Sequence, residues 1–135
     1  MSQSWKDNHA VFLTVVGAAA WLVPGAGHYL LGKKRQAVII FVALTLTFLV
    51  GLYIGSLGVI DPVGAKPWYA AQMMNSPMVY FLARLSVSGN YPVYGRPGEY
   101  GQIYTSIAGL LNLLCIVNAI YLAHLQGEER AQGTK

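Results

Sequence analysis

A chain of 135 residues is a single folding unit, and with 10% charged residues it carries under half the charge of an ordinary soluble domain, about 25%. Nine Lys and Arg against five Asp and Glu leave a net charge of +4, too scattered for the phosphate-tracking stripe of a nucleic-acid binder. The lone Cys115 excludes an internal disulfide and leaves the redox compartment open.

The charges collect at the two ends, at a hinge and in one middle segment. The neutral stretches between them exceed the roughly 18 residues that cross a bilayer. The lead before Ala10 holds Asp7 as well as Lys6, so it lacks the positive n-region of a signal peptide, and the first helix is expected to be retained. Residues 10–32 contain no Lys, Arg, Asp or Glu, and as one helix they would rise about 34 Å. Pro24, Gly25 and Gly27 break or kink that helix. The remainder continues as a short half-helix that needs protein around it, because non-helical backbone at membrane depth must be covered. A tight turn ending in Lys33, Lys34 and Arg35 leads into a second span, 36–57, where Gly51 and Gly55 form a G-x-x-x-G pair that allows close helix approach.

Residues 58–100 change character, with Pro62, Pro67, Pro77, Pro92 and Pro97 excluding a spanning helix. Segments 68–74 and 78–87 read as one or two short interfacial helices. Trp68, Tyr69, Tyr80, Tyr91, Tyr94 and Tyr100 suit the headgroup belt. In the third span, 101–126, Gly101, Thr105, Ala108, Asn112, Cys115, Ala119, Leu122 and Gln126 share one small or polar face. Ile103, Ile107, Leu110, Leu114, Val117 and Tyr121 form a bulky opposite face. In lipid the small face is the one that packs, since close contact and interhelical hydrogen bonds replace the hydrophobic drive. The tail 127–135 is polar.

Three spans put the hinge and the C-terminus on one side, and the N-terminus with the middle segment on the other. Lys33, Lys34, Arg35, Arg130 and Lys135 then oppose the sparser Lys6, Lys66, Arg84 and Arg96. The positive-inside rule places the hinge and C-terminus in the cytoplasm and the N-terminus outside.

Few residues offer chemistry. Gly27 to Lys34 nearly spells a phosphate-binding loop, but Lys34 stands where a Ser or Thr would hold magnesium and no strand precedes it. His28 lies at membrane depth, where polar groups are costly and often functional. It is a candidate ligand for a haem or chlorophyll-type pigment, against the plainer role of bonding a carbonyl freed by Pro24. His9 and His124 fall on opposite sides in this topology and cannot share a metal. Asn112 predicts an interhelical hydrogen bond from the small-residue face, with Asn118 off its edge. Lys33, Lys34 and Arg35 can meet anionic lipid headgroups. No acid–base pair, triad or zinc spacing is present, and no enzymatic activity is expected.

Pro24-Gly25-Ala26-Gly27-His28-Tyr29-Leu30-Leu31-Gly32-Lys33 resembles a P-G-x-G-H, aromatic, L-G, basic turn that joins two membrane helices in small bacterial membrane proteins. Ala108-Gly109-Leu110-Leu111-Asn112-Leu113-Leu114, followed by Asn118-Ala119-Ile120-Tyr121, is similar to the closing helix of an uncharacterised bacterial family with that turn. That family carries an aspartate at the position of Asn118. The resemblance implies a bacterial integral membrane protein and brings no activity with it.

The expectation is an all-α membrane protein of three transmembrane helices, with a broken or kinked first hairpin, in the bacterial inner membrane. Its expected role is that of a non-catalytic accessory or scaffold subunit, packing through small-residue faces on larger subunits of a photosynthetic or respiratory complex. It has no cofactor of its own, and contacts lipid or a chlorophyll-type pigment of the host. The alternatives are a homo-oligomeric small channel or carrier, and a lipid-binding protein using the basic hinge.

Overall fold

A computed structural model describes residues 2–89, 91 and 96–133, with side chains from Asn8 onward and excepting Arg96. Pro92, Tyr94 and Lys135, and the side chains of Lys6 and Arg96, lie outside the described residues. The helices are α1 (Ser2–Leu22), α2 (Ala26–Leu30), α3 (Lys34–Gly55), α4 (Lys66–Met73), α5 (Met78–Gly89) and α6 (Arg96–Gln132), with a 3-10 turn at Leu57–Val59. Among the described residues there is no strand. The axis of the fold is α6, about 55 Å long, against which α1, α3 and α4 all pack.

α1 ends at Leu22 because Val23 precedes a proline and is pushed out of the helical region. Gly25 then adopts φ 87°, open to glycine and strained for any side chain, and a Cβ there would strike the Ala37 carbonyl. The chain turns back. Gly27 of α2 sits so close to α1 and α6 that a Cβ on it would lie 2.8 Å from Ala20 Cβ and 2.9 Å from Ala119 Cβ. Below it, Gln126 Nε2 donates to the Leu31 carbonyl at 3.5 Å. At the other foot of this hairpin, His9 Nε2 lies 3.1 Å from His124 Nδ1, and the His9 ring covers Gly127. Both feet therefore stand at the same end of α6.

This geometry corrects two expectations. Segment 10–32 does not run on through the molecule; it goes in as α1 and returns as α2. The N-terminal end accordingly shares its side with the hinge and the C-terminal end, and His9 and His124 are neighbours rather than opposites. The cause is local. A break that only bends a helix preserves its direction, whereas proline followed by left-handed glycine reverses it.

α3 runs antiparallel to α6 over its whole length. A Cβ on Gly51 would lie 2.7 Å from Thr105 Cγ2, and one on Gly55 2.9 Å from Gly101 Cα. The glycine pair thus finds its neighbour inside the chain. Beyond the 3-10 turn, Pro67 occupies the first turn of α4, where its missing N–H costs nothing. Helix α4 then travels along α6. Ser106 Oγ donates to the Trp68 carbonyl at 3.3 Å, and Gly109 makes room for the Ala71 carbonyl. Asn112 reaches the Met74 and Asn75 carbonyls. At Pro77 the chain reverses into α5, whose Val79 and Ala83 pack on Phe48, Val59 and Ile60. The described residues of 58–100 thus form α4, α5 and the start of α6, and α4 is seated against α6, with Gln72 fully buried.

Two helical hairpins, α1–α2 and α4–α5, thus approach along α6 from opposite ends and meet near Asn112. Each has its own apolar core: Val16, Leu31, Ala119 and Ala123 for the first, Phe48, Val59, Ile60, Val79, Ala83 and Ala108 for the second. The helices Lys34–Gly55 and Pro97–Gln132 are long and apolar enough to cross a membrane. Only 22% and 33% of their most apolar windows are buried, so these side chains face outward, unlike those of a core helix in water. Asn8–Leu22 is apolar but shorter.

Candidate functional site

Two places bring polar groups together inside this apolar molecule. The first is the meeting point of the hairpins. Asn112 Nδ2 donates to the carbonyls of Asn75 at 2.9 Å and Met74 at 3.0 Å, with Ala20 at 3.4 Å. These carbonyls are the unpaired acceptors at the C-terminal ends of α1 and α4, which no intrahelical donor can reach. Trp21 Nε1 donates to the Met73 carbonyl at 3.0 Å, and Ser76 Oγ to the Leu22 carbonyl at 3.0 Å. One turn higher, Gln72 Nε2 donates to Thr105 Oγ1 at 2.8 Å and to the Val59 carbonyl at 3.1 Å. Thr105 Oγ1 in turn donates to the Gly101 carbonyl at 2.8 Å. This polar ladder fastens the hairpin tips to α6. It holds no nucleophile–base pair.

The second place is a groove of about 520 Å³ between α2, α3 and α6, lined by His28, Gln36, Ile39, Ile40, Ala43, Leu44, Leu111, Leu114, Cys115 and Asn118. Its polar groups gather at one end. Gln36 opens the first turns of α3, and α2 places His28 on the groove wall through the returning arm of the first hairpin. His28 is 4% exposed, and its Nδ1 has no hydrogen-bond partner, so the expected bond to a freed carbonyl is not made by that atom. Leu44 and Leu111 close the opposite, apolar end. Lys33 follows His28 closely, its N–H donating to the His28 carbonyl at 3.0 Å. Lys34 Nζ points elsewhere, over the Tyr29 ring at 5.9 Å, and Arg35 is exposed.

The residues of the small α6 face are distributed between these places. Gly101, Thr105, Ala108, Asn112 and Ala119 are buried against α1, α2, α3 or α4, and Cys115 is half-buried on the groove wall. Ile107, Leu110, Leu114, Val117 and Tyr121 are exposed. Sequence reasoning missed Gln72, Asn75 and Ser76. The signal available was a run of amide and hydroxyl side chains between Pro67 and Pro77, which reads equally as surface loop. Among the described residues, no group of three or more His, Cys, Asp or Glu side chains could hold a metal ion.

No curated protein and no solved structure matches the chain. A family of unknown function, DUF6677, matches residues 15–131, a stretch that takes in the end of α1, α2, α3, the second hairpin and nearly all of α6. The chain belongs to that family.

Proposed function

We propose that this protein is a non-catalytic accessory subunit of a larger bacterial membrane complex. In this reading α3 and α6 cross the inner membrane, and the two hairpins enter it from opposite faces without crossing. The hinge, with Lys33, Lys34 and Arg35, and both chain ends lie on the cytoplasmic side, because the hinge concentrates positive charge in a short connection.

The observation that carries the subunit reading is the tip of the first hairpin. Leu22 and Val23 are 58% and 47% exposed beside the helix break at Pro24. Two apolar grooves of about 350 and 380 Å³ flank this break, both lined by Val23, Pro24 and Phe41. Pro24 and Gly25 are themselves buried, so what the tip offers is a recessed apolar surface around Leu22, Val23 and Phe41 against which a neighbouring protein helix can pack closely. Side chains of such a helix would seat in the two grooves. The photosynthetic or respiratory nature of the host rests on the sequence reading alone.

The test is isolation in mild detergent, with identification of co-migrating proteins and pigments, for the wild type and for Val23→Trp. The expected result is a defined set of larger subunits with the wild type and its loss with Val23→Trp, while Val117→Trp on the exposed side of α6 retains it. A wild-type protein recovered without any partner would contradict the reading.

A further inference from the structure

On the far side of α3 from those grooves, the polarity of the His28 groove changes along its length in one direction. Its shallow end carries His28, Gln36 and Asn118, and its deep end Leu44 and Leu111. From Gln36 to Leu44 the groove follows α3 for about 12 Å. Lys33 immediately precedes α3, and its N–H donates to the carbonyl of the groove-lining His28 at 3.0 Å, so a cation stands next to the polar end. That sequence of environments—cation, neutral hydrogen-bonding groups, hydrocarbon—follows a phospholipid from phosphate through its ester linkages to an acyl chain. Gln36 and Asn118 are exposed at that end and supply its hydrogen-bonding groups, while His28, whose Nδ1 is sealed from solvent, forms the wall behind them.

We propose that this groove is a binding site for one anionic phospholipid of the surrounding membrane. The phosphate lies at Lys33, the glycerol ester region at Gln36 and Asn118, and one acyl chain lies between α3 and α6 against Ile40 and Leu111. The charge of Lys33 selects for an anionic head, and the groove beyond it selects for a chain. Lys34 is not part of the site, because it is directed over Tyr29. The proposal rests on the membrane placement of α3 and α6 but not on the docking surface at Val23.

The experiment uses the full-length protein, purified in detergent and stripped of lipid, then titrated with dioleoylphosphatidylglycerol or dioleoylphosphatidylcholine. Bound lipid per chain is read by native mass spectrometry. The expected result is about one phosphatidylglycerol per chain, held about five-fold more tightly than phosphatidylcholine. Lys33→Gln should erase that preference, Lys34→Gln should leave it, and Leu114→Trp, an exposed position on the groove wall, should weaken both lipids. Gln36→Leu, at an exposed position of the polar end, should also weaken both. Equal binding of the two lipids would overturn the proposal. So would equal losses from Lys33→Gln and Lys34→Gln, which would mean diffuse attraction to the hinge. Retention of phosphatidylglycerol binding by Leu114→Trp would also overturn it. Because the readout is lipid occupancy, its outcome is separate from whether Val23→Trp loses protein partners.

Discussion

Asn112 serves three carbonyls from two other helices through one side-chain nitrogen. A leucine of similar size would leave these buried acceptors without that donor, each an unmet hydrogen-bonding group. Asn112→Leu is therefore expected to lower stability by about 1–3 kcal/mol, measured by denaturant titration in detergent. Val117→Leu, at an exposed position, should change it by less than about 0.5 kcal/mol. Glycine acts at the same scale by letting backbones approach. Gly51→Leu must push Thr105 and the α6 backbone away, and an overpacked contact of that kind costs about 1–3 kcal/mol. A thermal transition measured beside that of Val50→Leu, one residue away and exposed, checks this. If Gly51→Leu is as stable as Val50→Leu, the close α3–α6 contact does not exist.

At the scale of the element, α6 and the first hairpin differ in how much of their structure can be read from residues. Small and polar side chains at alternating four- and three-residue steps mark the side of α6 that lies against other helices, and Ile107, Leu114 and Val117 mark the outward side. This works because each helical position has one direction. The 10–32 run offers no equivalent. Crossing once and going in and out use the same number of apolar residues, and composition does not encode the sign of φ at Gly25. The seat of α4 against α6 is illegible for another reason. Gln72, Asn75 and Ser76 look like surface residues until partners from Val59, Thr105, Asn112 and Leu22 are brought to them by distant parts of the chain. The turn itself makes a prediction. Gly25→Val combines left-handed strain, about 1–2 kcal/mol for a side chain, with collision at the Ala37 carbonyl. It should loosen α2 from α1 and α6 and raise proteolysis near Pro24. Gly32→Ala also sits at positive φ, 78°, but its Cβ would meet nothing. It should show strain without loss of packing, and hence a smaller effect.

For the whole molecule, the arrangement is two long helices, α3 and α6, against which two hairpins meet end to end. The proposed placement in lipid accounts for the apolar exterior and the polar ladder together: bulky side chains outward, hydrogen-bonding groups inward where α1 and α4 end. The assignment of sides follows from the same placement. It is tested by introducing single cysteines at Asn8, Glu128 and Ser56, each in a Cys115→Ser background, and labelling intact cells and inverted vesicles with a reagent that cannot cross the membrane. Positions 8 and 128 should label together from one side and position 56 from the other. Labelling of positions 8 and 128 from opposite sides would mean that the first apolar segment crosses after all, and would contradict the account.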